Sequence, residues 1–250
     1  MNLDGKAVLI TGGRRVGSEL ALMLADRGAS IAMTYRTSRE TIERTVAEVQ
    51  ARGVRGLAVA ADLAEADQAE RAVQKVVAAF GRLDVLINMA SIYKRTPFNP
   101  LTPGDFDAML AANLAAPYHT AVAAARQMLT QPGEGGIKGK IVNIGDWATE
   151  RPYKDYLPYL VAKGGLTTMT LALARELAPH VAVNMVQPAM IDPPPDFTEA
   201  EISAVAAVIP LKRIGTPADV NRLILYLLEG TDFATGACYR VDGGRFLGID

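Results

Sequence analysis

The stretch VLITGGRRVGSELALML, residues 8–24, decides the fold. It reads as an apolar strand that runs into a glycine turn and then into a helix. Glycines at 12, 13 and 17 allow a tight turn and let backbone approach a pyrophosphate closely. The helix that follows offers its free N–H groups and its dipole to the same anion. A glycine pattern alone is weak evidence of nucleotide binding. Its place at the opening of a strand–helix–strand unit gives it weight.

Working outward, the same alternation continues to the end of the chain. Apolar, β-branched runs occupy residues 6–11, 30–35, 56–62, 83–90, 140–145, 181–188 and 237–244. Their hydrophobicity is near-continuous, which is expected of strands covered on both faces, as in a parallel sheet. Helical patterns fill residues 17–27, 39–52, 65–80, 102–131, 157–178 and 217–228. Ser38 is placed to N-cap the second of these, and Gly53 and Gly81 stand where left-handed termination is expected. Right-handed crossovers then give an α/β fold, one doubly wound sheet with helices on both faces. No linker divides the 250 residues, so a single domain is expected, with GEGG at 133–136 as a surface turn.

Composition narrows the function classes. Half of the residues are hydrophobic and the net charge is -1. No Lys/Arg-rich run marks a nucleic-acid or anionic-membrane surface, and no stretch approaches the ~18 apolar residues of a membrane span. The one cysteine, Cys238, excludes an internal disulfide and fits a reducing compartment. The apolar run at Ala7 is too early and too short for a secretory signal, so a cytoplasmic protein is expected. His119 and His180 are isolated and no cluster has metal spacing, so no metal is expected.

The end of the second strand bears on which dinucleotide is held. An acid there holds a ribose 2′-OH. This chain offers TYRTSRE, residues 34–40, with no acid before Glu40. Arg36, with Thr37 and Ser38, suits a 2′-phosphate, and Arg14 and Arg15 add charge in the glycine turn. Asp62, at the end of the third strand, is placed to meet an adenine ring or to N-cap the following helix.

Tyr159 and Lys163 lie one helical turn apart on one face. A nearby ammonium is expected to lower the phenol's pKa, making the pair a proton donor in reduction and a base in the reverse direction.

The set TGGRRVG, INMA, NLAAP, YLVAK and VQPAMI, in this order, resembles the short-chain dehydrogenase/reductase family over essentially the whole chain. The resemblance implies a Rossmann-type sheet of seven parallel strands, a nicotinamide cofactor and a homotetramer. It implies Tyr159 as general acid, Lys163 on the nicotinamide ribose, and Asn113 anchoring a proton-relay water. It places Gly12, Arg14, Arg15, Val16, Tyr35, Arg36, Thr37, Ser38, Asp62, Leu63, Asn88, Met89, Ala90, Pro188, Met190 and Ile191 along an NADP(H) cofactor. The loop DPPPDFTEAE, residues 192–201, would cover substrate. The Ala-rich helix from Asn113 and the helix at 157–178 would pack in the interior or against other subunits.

Asp146 departs from most of that family, where a serine bonds a carbonyl oxygen. An ionised Asp accepts only. It suits a substrate that presents N–H groups or a ring nitrogen, and a turn-capping role is open beside that one. Asp in this place, with RRVG in the first turn, resembles the pteridine reductase and dihydromonapterin reductase branch. By that match Arg15 reaches cofactor phosphate and substrate, and Tyr159 and Asp146 protonate a reduced C=N bond. Ile92 stands at the stacking place for a planar substrate, with Tyr93 and Trp147 as aromatic alternatives. Two rival readings stay open: a 3-oxoacyl-carrier-protein-type ketone reductase, and a non-catalytic NADPH-binding sensor.

Overall fold

The computed structural model describes residues 1–193 and 197–248. Seven strands form one parallel sheet in the order β3-β2-β1-β4-β5-β6-β7. They are β1 Ala7–Thr11, β2 Ser30–Tyr35, β3 Gly56–Ala60, β4 Val85–Asn88, β5 Gly139–Ile144, β6 Val181–Pro188 and β7 Cys238–Val241. The helices are α1 Val16–Ala25, α2 Arg39–Gln50, α3 Ala66–Phe80, α4 Pro103–Leu110, α5 Ala116–Thr130, α6 Leu157–Leu177, α7 Glu199–Ala207 and α8 Pro217–Leu225. This is the doubly wound, Rossmann-type arrangement the alternation implies, with the order reversing between β1 and β4.

The continuous apolar runs have a direct cause. Successive side chains on a strand point to opposite faces. In β1, Val8 and Ile10 enter the layer built with Leu20, Leu24, Ile42 and Ile224. Ala7 and Leu9 enter the opposite layer, with Val76, Phe80, Ala124, Met128 and Leu166. β4 divides in the same way, Val85 and Ile87 to the first layer and Leu86 to the second. A polar residue at any of these positions would face a core. Leu24 is fully buried, and truncating such a residue to Ala costs about 2–5 kcal/mol.

Local departures from the sequence reading are informative. The run at 102–131 is not one regular helix: between α4 and α5 lies a π-helical segment, Ala111–Ala115, in which the Ala116 N–H reaches back to the Ala111 carbonyl. Such segments occur most often at functional sites, and this one carries Asn113. A second π segment, Tyr226–Gly230, ends the run expected at 217–228. Ser38 stands at the N-cap of α2 but its side chain makes no cap bond. Asp62 does not cap α3; it accepts from Ala64 N at 3.1 Å and caps the turn before the helix. Gly53 and Gly81 do adopt φ +83 and +78.

The segment expected to be a substrate loop, residues 192–201, runs into a helix over its last three residues. α7 begins at Glu199 behind a reciprocal capping box between Thr198 and Glu201. Residues 194–196 of that segment lie outside the described residues.

Candidate active site

The glycine turn closes over the carboxyl end of β1. Gly12 has φ +59, and a Cβ there would lie 2.9 Å from the Ala90 Cα. Gly13 has φ +78, and its Cβ would meet the Met89 Sδ at 2.8 Å and the Gly17 Cα at 2.9 Å. Both positions therefore exclude side chains, and backbone is exposed at the start of α1. The turn borders a cleft of ≈ 1390 Å³ that runs along the carboxyl ends of the strands. Ligands of open α/β sheets bind at this edge, where strand order reverses.

One end of the cleft is cationic. Arg14, Arg15, Arg36 and Arg44 line it, with Thr37 and Ser38 beside them. Arg36 donates to Asp62 across 3.3 Å while 56% of its side chain stays exposed, a weak pair that a phosphate can displace. Arg15 is held by Asp192 at 3.0 Å and donates to the Pro193 carbonyl at 3.4 Å, which ties the glycine turn to the segment after β6. Gly12, Val16, Tyr35, Leu63, Met89, Ala90, Pro188, Met190 and Ile191 also line the cleft.

Two expected residues do not. Asn88 is buried beneath the floor, donating to Asn143 Oδ1 at 2.9 Å and accepting from Thr120 at 2.7 Å. It braces β4 against β5 and α5 and does not face the cleft. Asn113 is likewise fully enclosed. Its amide donates to Ile92 O and Met109 O, and its oxygen accepts from Ser91 Oγ at 2.6 Å and Ile92 N at 3.2 Å. With all four side-chain sites satisfied, Asn113 fixes the loop after β4 upon the π segment, and no side-chain site is left to anchor a relay water.

The middle of the cleft holds the ionisable cluster. Pro158 in the first turn of α6 starts the helix that carries Tyr159 and Lys163, both buried. Asp146 follows the end of β5, and its Oδ1 accepts from Ala148 N at 2.8 Å. That bond caps the short turn Trp147–Thr149. Its Oδ2 accepts from the Tyr159 hydroxyl, also at 2.8 Å. Capping and chemistry thus share one carboxyl group. Lys163 Nζ donates to the Ile144 carbonyl at 2.8 Å and stands 5.8 Å from the Tyr159 ring centroid.

The electrostatics reverse one expectation. Lys163 does not lower the Tyr159 pKa; burial, followed by the charge of Asp146, holds the phenol well above its ordinary value. Burial also raises the Asp146 carboxyl, against the N–H of Ala148, the Tyr159 hydroxyl and the Lys163 charge. Burial lowers Lys163 to about 8, opposed by Asp146. Phenol and carboxyl are both driven toward their protonated forms, so the pair is arranged to retain protons and release them only to a stronger base.

The far end is aromatic. Tyr93 stacks on Tyr156 with centroids 4.5 Å apart and meets Tyr159 edge-on at 5.0 Å. Tyr153 lies edge-on to Tyr156 at 5.1 Å and tilted to Trp147 at 6.2 Å. Of the three stacking candidates, Tyr93 and Trp147 supply aromatic faces, and Ile92 packs against the small cluster of Met109, Ala148 and Leu160. Sequence reading missed Arg44, Ser91, Tyr153, Tyr156 and Arg245. Only the tyrosines carried a signal, the YKDY spacing just before α6.

Comparison with known proteins agrees with this geometry. The short chain dehydrogenase model matches residues 6–202. The chain belongs to the short-chain dehydrogenase family. This short-chain dehydrogenase is 32% identical over 245 residues to an uncharacterized oxidoreductase of Escherichia coli, covering 96% of this chain and 95% of that protein. It is 31% identical over 249 residues to a 3-oxoacyl-acyl-carrier-protein reductase of Staphylococcus aureus, covering 97% and 98%. Among solved structures, a blue fluorescent protein from a metagenomic library in complex with NADPH superposes with a TM-score of 0.88 at 32% identity, over 98% of this chain and 99% of that one. The chain is an oxidoreductase of this family. No described helix of this short-chain dehydrogenase is long and apolar enough to cross a membrane.

Proposed function

We propose that this short-chain dehydrogenase uses NADP(H) to reduce the C=N bond of a planar, pterin-like heterocycle, with its 250 residues acting as one NADP-binding domain. The side-chain-free turn at Gly12 and Gly13 fits a pyrophosphate, and Arg36, Arg14 and Arg44 fit the additional phosphate of NADP(H). When bound, the cofactor supplies hydride to the substrate carbon. Tyr159 gives its proton to the nitrogen as the C=N π pair localises there. Asp146, hydrogen-bonded to the phenol, passes a proton to restore it. Lys163, anchored on Ile144 O, holds its ammonium below the ring and offsets the negative charge left behind. The aromatic end orients a flat ring by stacking.

The observation that carries this reading is the 2.8 Å bond from Tyr159 to a carboxyl rather than to a hydroxyl. A carboxyl that burial drives toward its protonated form can resupply the phenol's proton as a ring nitrogen takes it. A ketone substrate is the second reading, favoured by the 31% identity to the 3-oxoacyl-acyl-carrier-protein reductase.

The test follows NADPH oxidation with dihydrobiopterin, dihydrofolate and an acetoacetyl thioester side by side, and with NADH in parallel. Turnover of the dihydropterins with NADPH is expected; turnover of the thioester alone gives the ketone reading, and tight NADPH binding without turnover of any gives a sensor. Assembly as a homotetramer belongs to the same proposal. The exposed Tyr118 and Leu129 of α5 and Leu157, Val161 and Leu171 of α6 support it, and light scattering tests it.

A further inference from the structure

Past Asp146 and its aromatic neighbours, the cleft ends in a cation. Arg245 begins the short helical turn Arg245–Leu247 after β7. That turn is fixed from within. Asp242 accepts from Gly244 N at 2.9 Å through one oxygen and from Phe246 N at 2.8 Å through the other, and Gly244 takes φ +84. The Arg245 guanidinium carbon stands 5.6 Å from the centroid of the Trp147 ring, and Nη1 donates to the Val208 carbonyl at 3.2 Å. Arg245 is therefore pinned between the residue next to Asp146 and the C-terminal end of α7. It lines the same cleft as Asp146, Tyr153 and Tyr156.

Among the described residues, the charges around it leave it a recipient. Arg15, also on the cleft wall, is already paired with Asp192 at 3.0 Å. Asp146 is bonded to Tyr159 and Ala148. The charged group that perturbs Arg245 is another cation, Arg151, and burial and that neighbour both work against its positive charge. Arg151 itself is held on the Phe246 carbonyl at 2.7 Å. A guanidinium in these surroundings gains most from a planar anion that it can bind through two N–H groups.

We infer that Arg245 is a specificity-determining residue, receiving the carboxylate of an acidic tail on a substrate whose flat ring lies against Trp147 and the tyrosines. This deepens the heterocycle reading above and rests on it for the ring. It narrows the substrate class from flat heterocycles in general to those carrying an acid some distance from the reacting bond.

Trp147 is the only tryptophan of the chain, so its fluorescence reports this corner of the cleft. The experiment titrates the full chain, saturated with NADP⁺, with folate, whose tail carries carboxylates, and with biopterin, which has the same ring type and an uncharged tail. Wild-type protein is expected to bind folate about 10-fold or more tightly than biopterin, as a charge-assisted bond supplies. Arg245→Gln is expected to erase that preference by weakening folate alone, and Arg245→Lys to keep part of it. Equal affinity for the two probes in the wild type, no binding of folate, or an equal loss for both probes in Arg245→Gln overturns the inference. Turnover is read separately. A preference for the acidic probe with no reduction of dihydropterins sinks the pterin reading and leaves Arg245 as an acid-binding residue. Reduction of both dihydropterins without any preference does the opposite.

Discussion

Replacing Asp146 by Asn changes one atom and separates the two jobs of this side chain. In the native site Oδ1 accepts from the Ala148 N–H and Oδ2 from the Tyr159 hydroxyl, each at 2.8 Å. An amide has one acceptor oxygen, and the turn at Ala148 claims it. The NH₂ then faces the phenol, and Tyr159 loses an acceptor. A hydrogen bond to a charged group is worth about 1.5–3 kcal/mol, or roughly 10- to 150-fold in rate where the bond is made in the transition state. The substitution also removes the carboxyl that restores the phenol's proton, and the charge that, after burial, raises its pKa. The expected result is a fall in kcat for dihydrobiopterin of about 10²-fold. Stability moves the other way. Burial raises the folded carboxyl's pKa above its unfolded value. Its contribution to stability is therefore full at acid pH and is lost as pH rises through the raised value. The amide of Asp146→Asn does not titrate and escapes this loss, so the variant is expected to melt above wild type at pH ~7.5, with the gap closing toward pH ~4. A gain of about 1 kcal/mol would appear as about 2–4 °C in a chain of this length. Steady-state NADPH oxidation from pH ~5.5 to ~9 and thermal melts at pH ~4 and ~7.5 provide the check. An unchanged kcat refutes the shared-proton argument, and a lower melting point at the higher pH refutes the burial argument.

Three further outcomes follow from the same geometry. Lys163 titrates at about 8 because it is buried, so kcat/KM should fall as pH rises through about 8 in the free enzyme, and Lys163→Arg should remove that limb from the accessible range. Arg36→Ala should raise the KM for NADPH by about 10- to 100-fold, as loss of charge-assisted bonds to a phosphate demands, and leave the KM for NADH unchanged; equal effects on both cofactors would remove Arg36 from the phosphate site. Gly12→Ala places a Cβ 2.9 Å from the Ala90 Cα at φ +59, and should lower NADPH affinity, measured by calorimetry, by at least about 10-fold together with a lower melting temperature.

Much of this was written into local sequence. The alternating strands were legible because both faces of each strand meet a core, so the runs of β1 and β4 carry no polar gap. The glycine turn was legible because positions 12 and 13 exclude every side chain. The π segment at Ala111–Ala115 was not, because a wider helical turn is set by packing around Asn113 and has no residue-type signature. The same packing explains why Asn113 and Asn88 turned out to brace the cleft from below. α7 did carry its signal, a Thr followed three residues later by Glu, but the preceding prolines masked it. Of the aromatic end, Tyr93 and Trp147 were legible, and Tyr153, Tyr156 and Arg245 escaped because only the folded sheet edge brings the three regions of chain together. The direction of the Tyr159 shift escaped for a related reason: spacing reveals that Lys163 is one turn away, and only burial and the carboxyl contact reveal which effect wins.

The central claim is that the Tyr159 hydroxyl delivers the proton that accompanies hydride transfer. Its most direct test is the rate of NADPH oxidation with dihydrobiopterin by Tyr159→Phe, alongside NADPH binding by calorimetry. The expected result is a loss of at least about 10²-fold in kcat with cofactor affinity unchanged. Turnover equal to wild type would contradict it.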